Sequence, residues 1–271
     1  MIPKVIHYCW FGGNPLPELA LKCIESWKKY CSGYEIIRWD ETNYDLTNKS
    51  SYVREAYEAK KWAFVSDYAR LDIIYQNGGI YLDIDVELIK GLDDFLNEHC
   101  FLGLQVGGYI ATGLGFGAEQ HSLAVKMMLD EYEGVRFKLG HEIYDMTPCP
   151  KRNTAPFKKI GFEGIDELCR LPLCTIYPTE YFCPMNYRTN QFVRTDNTVS
   201  IHHFSGTWID KDAKLLRAEV AEYKKTHGKL ATFCYKFKRE YEIQYPDKGW
   251  RNTLRFAVSK IRNKIAKMRM T

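Results

Sequence analysis

The 271-residue sequence contains no run of 18 consecutive apolar residues, so no membrane-spanning helix is expected. Its start, Met1-Ile2-Pro3-Lys4-Val5, lacks the charged segment and apolar block of a secretory leader. The nine cysteines are odd in number, scattered, and include no C-x-x-C pair. That argues against a disulfide framework or a zinc ribbon, and for a reducing cytoplasm in which most thiols are small buried hydrophobes. A glycine-rich run over 107–117 lacks the G-K-[ST] ending of a P-loop, and no G-x-G-x-x-G opens a clean βαβ unit. Neither phosphate cradle is therefore supported. Acidic residues are absent after Asp247.

Charge is unevenly placed. Residues 211–271 carry 17 Lys and Arg against 6 Asp and Glu, a net +11, whereas residues 1–210 carry 21 against 28, a net −7. An acidic body with a basic tail gives the tail its own partner. Hydrophobic residues make up 45% of the chain, enough at this length for one good core. Two parts are expected: a catalytic domain over 1–210 and a helical, basic extension over 211–271.

The most informative stretch is 62–85, WAFVSDYARLDIIYQNGGIYLDID. Apolar residues recur at three and four (Val65, Tyr68, Ala69, Ile73), predicting a helix over 62–76. Asn77-Gly78-Gly79 ends it, and Ile80-Tyr81-Leu82 is a short buried strand. Asp83-Ile84-Asp85 follows. If the strand continues, Asp83 and Asp85 share one face. Two carboxylates beside an apolar run are costly unless paired, and a hard divalent cation such as Mg²⁺ or Mn²⁺ is their natural partner. Asp67 and Arg70, three apart, lie on one helical face. A bare D-x-D is common; the combination S-D-x-x-R with G-G-I-Y-x-D-x-D is far less so.

This stretch resembles the DXD-containing sugar transferases: the family of the yeast initiating α-1,6-mannosyltransferase, bacterial capsule-synthesis transferases and, more distantly, the clostridial glucosylating toxins. The resemblance implies the GT-A fold, an α/β domain with a Rossmann-like, mostly parallel sheet. It implies that Asp83 and Asp85 hold Mn²⁺ or Mg²⁺ against a nucleoside diphosphate, and that Asp67 and Arg70 contact the donor sugar. The start Ile6-His7-Tyr8-Cys9-Trp10-Phe11-Gly12-Gly13 fits the family's I/V-H-x-x-W-x-G-G, which implies that Trp10 stacks on the base and favours a UDP-sugar. Near the end of the domain, His203-Phe204-Ser205-Gly206 matches an H-aromatic-x-G segment that supplies a metal ligand, with Thr207-Trp208 in place of S-W. Donor and nucleotide contacts are thereby assigned to Cys9, Trp10, Asp67, Arg70, Tyr81, Asp83, Thr207 and Trp208, and metal ligation to Asp83, Asp85 and His203. Catalysis falls to Asp67, Arg70, Asp83 and Asp85. Where the family has an Asn, this chain has Ile110-Ala111-Thr112.

The other elements read as follows. Residues 4–11 form a buried first strand, 17–30 a helix, 34–39 a second strand and 101–106 a further one; 121–134 reads as another helix. Strand-helix-strand order with short links predicts a parallel sheet covered by helices, with ligands at the carboxyl ends of its strands. His7, mid-strand, reads as a satisfied buried histidine. Adjacent His202 and His203 on a strand point to opposite faces, so one of them serves a given site, and the resemblance implies His203. The segment Thr147-Pro148-Cys149-Pro150, followed by Lys151-Arg152, suggests a loop near the acceptor. From Asp212 onward the chain looks helical, with Trp250, Leu254, Val258, Ile261, Ile265 and Met268 on one stripe and basic residues elsewhere. That is the pattern of a helix lying on an anionic membrane surface rather than one binding nucleic acid.

The expected reaction is retaining transfer of a hexose or N-acetylhexosamine from a nucleotide sugar to a glycan or undecaprenyl-linked acceptor in surface-polysaccharide synthesis, at the inner face of the cell membrane. Metal-assisted phosphoryl hydrolysis, or a non-catalytic nucleotide-sugar-binding module, would use the same carboxylates.

Overall fold

The computed structural model describes residues 1–140, 143–186, 189, 191–206, 211–228, 231–232, 234–236 and 238–239. The chain divides into two compact units, Met1–Ser205 and Gly206–Thr271. In the first unit, β1 (Val5–Cys9), α1 (Glu18–Tyr30), β2 (Glu35–Trp39), α2 (Ser51–Glu58) and α3 (Trp62–Asn77) come in order. Next are β3 (Gly79–Tyr81), β4 (Val86–Leu88), β5 (Cys100–Gln105), β6 (Tyr109–Ile110), β7 (Phe116–Ala118) and α4 (Leu123–Asp130). The unit continues with β8 (Lys138–Gly140), β9 (Ile143–Tyr144), α5 (Cys149–Lys158), β10 (Cys169–Leu171), β11 (Cys174–Tyr177) and α6 (Thr179–Phe182). It closes with β12 (Met185–Asn186), β13 (Gln191–Phe192) and β14 (Ser200–His202). Within the second unit, α7 spans Lys211–Thr226. The amphipathic stretch expected over 250–269 lies outside the described residues.

The main sheet runs β10-β11-β5-β7-β3-β1-β2, with β6 paired to β5. β1 is parallel to both β2 and β3, and β11 is parallel to β5. β7 runs antiparallel between β3 and β5, so the sheet is mixed. Its core follows strand parity. Ile6 and Tyr8, Ile80 and Leu82, and Phe101 pack in one apolar cluster with Trp27 and Ile24 of α1. Tyr81, Cys100 and Leu102 pack in the other, with Val65, Ala69 and Ile73 of α3. Alternation along each strand thus sends neighbouring side chains to opposite layers, and helices cover both faces.

His7 of β1 is buried, at 2% exposure. Its Nδ1 accepts from Trp39 Nε1 at 3.0 Å, and its Nε2 lies 3.1 Å from the Gly78 carbonyl. Since the indole can only donate, the ring is neutral with its proton on Nε2. Burial lowers its pKa to about 4, against a smaller upward pull from the Gly78 bond. The expected role as a satisfied core histidine agrees with this geometry. Gly79 must be glycine here: its φ is +96°, and a Cβ would sit 2.8 Å from His7 Nε2.

Candidate active site

Three elements bring the charged groups together. On α3, Asp67 and Arg70 sit one helical turn apart. Arg70 Nη2 lies 3.2 Å from Asp67 Oδ1 and 3.1 Å from Asp83 Oδ1, beyond the carboxyl end of β3. Arg70 Nε donates to the Ser66 carbonyl at 3.1 Å, and its guanidinium lies 5.0 Å over the ring of Tyr81. The Tyr81 hydroxyl in turn donates to Asp83 Oδ1 at 2.9 Å. Arg70 is buried, at 4% exposure, so its charge is held by these partners rather than by water. Burial opposes that charge, but Asp83, Tyr81 and Asp67 outweigh it and keep the guanidinium protonated. The Asp67 and Asp83 carboxyls are raised by burial, which Arg70 only partly offsets.

The chain does not continue as a strand through the second aspartate. β3 ends at Tyr81, and a turn closes with Val86 N–H donating to the Asp83 carbonyl at 3.0 Å. The turn, not strand parity, sets the two carboxylates. α1 then fixes the next strand: Trp27 Nε1 donates to the Val86 carbonyl at 2.7 Å, and Ser26 Oγ accepts from Leu88 N–H at 2.9 Å. β4 pairs antiparallel with β14, placing His202 opposite Val86.

That register places His202, rather than the expected His203, beside Asp85. His202 Nε2 lies 3.1 Å from Asp85 Oδ1, whereas His203 Nε2 lies 2.9 Å from Glu87 Oε2. Alternation turns the two rings to opposite sides, and the register gives His202 the aspartate side. Asp85 is gripped further. Its Oδ2 accepts from both the backbone N–H and the hydroxyl of Ser205, each at 2.8 Å, and its carbonyl accepts from His203 N–H at 3.0 Å. Phe204 adopts a φ of +49°, and its ring packs 4.1 Å from that of His202. Burial would raise the Asp85 carboxyl, but the His202 charge and the hydrogen bonds from His202 and Ser205 override it and hold it well below the usual carboxylate range. The two aspartates are thus pushed apart, Asp83 upward and Asp85 downward.

One ligand atom each from Asp83, Asp85 and His202 lies within 4.8 Å of the others. The buried Nδ1 of His202 has no hydrogen-bond partner. Two carboxylate oxygens and an imidazole nitrogen suit a divalent cation of the Mg²⁺ or Mn²⁺ kind, so the residues present fit one.

The remaining assignments fall as follows. Cys9 is in the core, its thiol raised to about 12 chiefly by burial. Trp10 is half-buried at the end of β1, with Nε1 donating to the Asn14 carbonyl at 2.6 Å. Thr207 and Trp208 lie outside the described residues. Only Thr147 and Pro148 of the expected loop stay outside α5, which starts at Cys149 with Pro148 as its cap and Pro150 in its first turn, where a missing N–H costs nothing. Sequence reasoning missed Gly113, Cys149 and Ser205. Gly113 accepts from Asp83 N–H at 3.2 Å, and a Cβ there would fall 2.2 Å from Asp83 Oδ2. No spacing marks any of the three, although Ser205 lies within the His203-Phe204-Ser205-Gly206 segment.

Residues 17–102 match the family model described as a glycosyltransferase sugar-binding region containing a DXD motif. An uncharacterized glycosyltransferase of Acanthamoeba polyphaga mimivirus is 36% identical over 101 residues, covering 35% of this chain and 40% of that protein. The inositol phosphoceramide mannosyltransferase 1 of Schizosaccharomyces pombe is 29% identical over 107 residues, covering 37% and 33%. The chain therefore spans well under half the length of these relatives. Among solved structures, the PaToxG glycosyltransferase aligns with 59% of this chain and 70% of its own at 17% identity and a TM-score of 0.44, a level that adds nothing to the strand order above. The Asp83–Asp85 turn lies inside the matched stretch, 17–102.

Proposed function

We propose that this chain is a retaining, metal-dependent glycosyltransferase of the GT-A type. It moves a hexose or N-acetylhexosamine from a nucleotide sugar, UDP-linked by preference, to a glycan or lipid-linked oligosaccharide acceptor. One observation carries the reading: Asp83, Asp85 and His202 offer ligand atoms within 4.8 Å of one another, one salt bridge away from the Arg70–Asp67 pair. Asp83, Asp85 and His202 would hold the cation. Bound there, a divalent ion would offset the negative charge that grows on the departing nucleoside diphosphate.

The chain's own groups do the rest. Arg70 and Asp67 present a cation and an acceptor pair to sugar hydroxyls, locked in orientation by burial. Ser205 and His202 keep Asp85 ionised and aimed. Trp10 offers a flat ring to the base. The Schizosaccharomyces pombe relatives are named mannosyltransferases, which puts mannose among the candidate sugars. No helix among the described residues is long and apolar enough to cross a membrane. The basic stretch over 250–269 would bring the enzyme to an anionic cytoplasmic leaflet, each Lys or Arg contributing about 1 kcal/mol.

The test is incubation with UDP-glucose, UDP-galactose, UDP-N-acetylglucosamine and GDP-mannose in Mn²⁺. Nucleoside diphosphate release, with sugar transfer or slow hydrolysis, is expected from at least one. EDTA should abolish it, and Asp85→Asn should lower it about 100-fold or more. Phosphate release from p-nitrophenyl phosphate without nucleotide turnover would replace the reading with phosphoryl hydrolysis. Binding without turnover, unaffected by Asp85→Asn, would replace it with a binding module.

A further inference from the structure

α5 closes over the Asp67–Arg70 pair through a residue that no sugar-transferase motif in this sequence includes. Cys149, the first residue of the helix, is half-buried, with Sγ accepting from Arg70 Nη1 at 3.8 Å. Its thiol is raised well above the ordinary range, chiefly by burial and by the Asp67 charge, so it stays protonated beside the Arg70–Asp67 pair.

The placement is built rather than incidental. Thr154 Oγ1 accepts from Ile110 N–H at 2.9 Å and donates to the Pro150 carbonyl at 2.6 Å, tying the helix to β6. Asn153 Nδ2 donates to Thr112 Oγ1 at 2.9 Å, both residues fully buried. The loop so anchored is the one whose Gly113 carbonyl binds Asp83 N–H. From the other side, Arg152 Nη1 donates to the Glu131 carbonyl at 2.9 Å, Nη2 meets Asp145 Oδ2 at 2.7 Å, and the guanidinium lies over the rings of Tyr132 and Tyr52. The first turn of α5 is therefore fixed, and with it the sulfur.

We infer that Cys149 is a positioning residue: it holds Asp67 and Arg70 in the orientation that recognises the donor sugar, and has no part in gripping the nucleotide. The inference rests on the donor-site reading proposed above. A purely packing cysteine would affect the fold and all ligands alike. A positioning residue for the sugar pair separates the sugar from the nucleotide.

The test compares UDP with UDP-glucose, and GDP with GDP-mannose, by calorimetry in Mn²⁺ on the full-length wild type, Cys149→Ala and Cys149→Ser. The sugar nucleotide that the wild type binds more tightly than its free diphosphate should lose about tenfold in Cys149→Ala, the scale of one hydrogen bond to a charged group, while the free diphosphate binds as before. Cys149→Ser, which keeps a donor and an acceptor, should restore most of the loss. Melting curves within a few degrees of wild type exclude a folding defect. Equal weakening of diphosphate and sugar nucleotide, or no weakening of either, overturns the inference and leaves the transferase reading standing. A wild type that binds none of the four ligands overturns the transferase reading, and this inference with it.

Discussion

His202 and Asp85, 117 residues apart in sequence, meet at 3.1 Å between Nε2 and Oδ1, while His203 turns to Glu87. Removing the first imidazole and removing the second are therefore different experiments. His202→Ala should weaken Mn²⁺ binding by about 100-fold, followed as free Mn²⁺ by electron paramagnetic resonance, whereas His203→Ala should stay within about threefold. The reverse order of the two would discard the β4–β14 register as the origin of the site.

Arg70 is the buried cation between two carboxylates, so its loss leaves charge without a partner. Arg70→Met should cost about 3–5 kcal/mol in urea unfolding. Because the penalty comes from the stranded carboxylates, adding Asp67→Asn to Arg70→Met should recover part of the stability. A double variant no more stable than the single one would place the cost in lost packing instead.

Gly113 leaves room for Asp83. Gly113→Ala puts a methyl where the carboxylate oxygen now sits, at 2.2 Å, and must shift either the loop or Asp83. Displacements on this scale near reacting groups cost about 100-fold in turnover. Nucleotide-sugar turnover should fall by that order with the fold retained by circular dichroism. Unchanged turnover would show that the loop yields without moving Asp83.

His7 carries a pH dependence of stability. Its folded pKa, about 4, lies below the unfolded 6.5, so the unfolded chain binds the extra proton first. The contribution is fully present above pH 6.5 and is lost as pH falls from there toward 4, reaching about 2 kcal/mol by pH 5. His7→Gln, whose amide can both donate and accept, should show a correspondingly smaller drop in stability between pH 7.5 and 5. Equal drops in the two proteins would contradict a neutral core histidine.

Much of the framework was legible beforehand because it is local. The spacing of Val65, Tyr68, Ala69 and Ile73 and the stop at Gly78-Gly79 delimit α3, observed over Trp62–Asn77. The apolar runs of β1 and β2, and the helix between them, also fall where periodicity puts them. The departures have physical reasons. The prolines at 148 and 150 read as a loop, but at a helix start they are tolerated, because the first N–H groups have no helical partner to lose. The shared face of Asp83 and Asp85 was conditional on the strand continuing, and a turn intervenes instead.

By itself the sequence determined which side chains could do the chemistry: two aspartates two apart after a buried strand, an acid–arginine pair one helical turn apart, and a histidine pair of which alternation lets only one face a given site. Periods of 2 and 3.6 residues fix such choices within a single element. Which histidine joins Asp85, why position 113 must be glycine, and how Cys149 comes to touch Arg70 were decided only by the tertiary structure. Each depends on the register or docking of segments distant in the chain, and that is set by the packing of the whole core rather than by any local pattern.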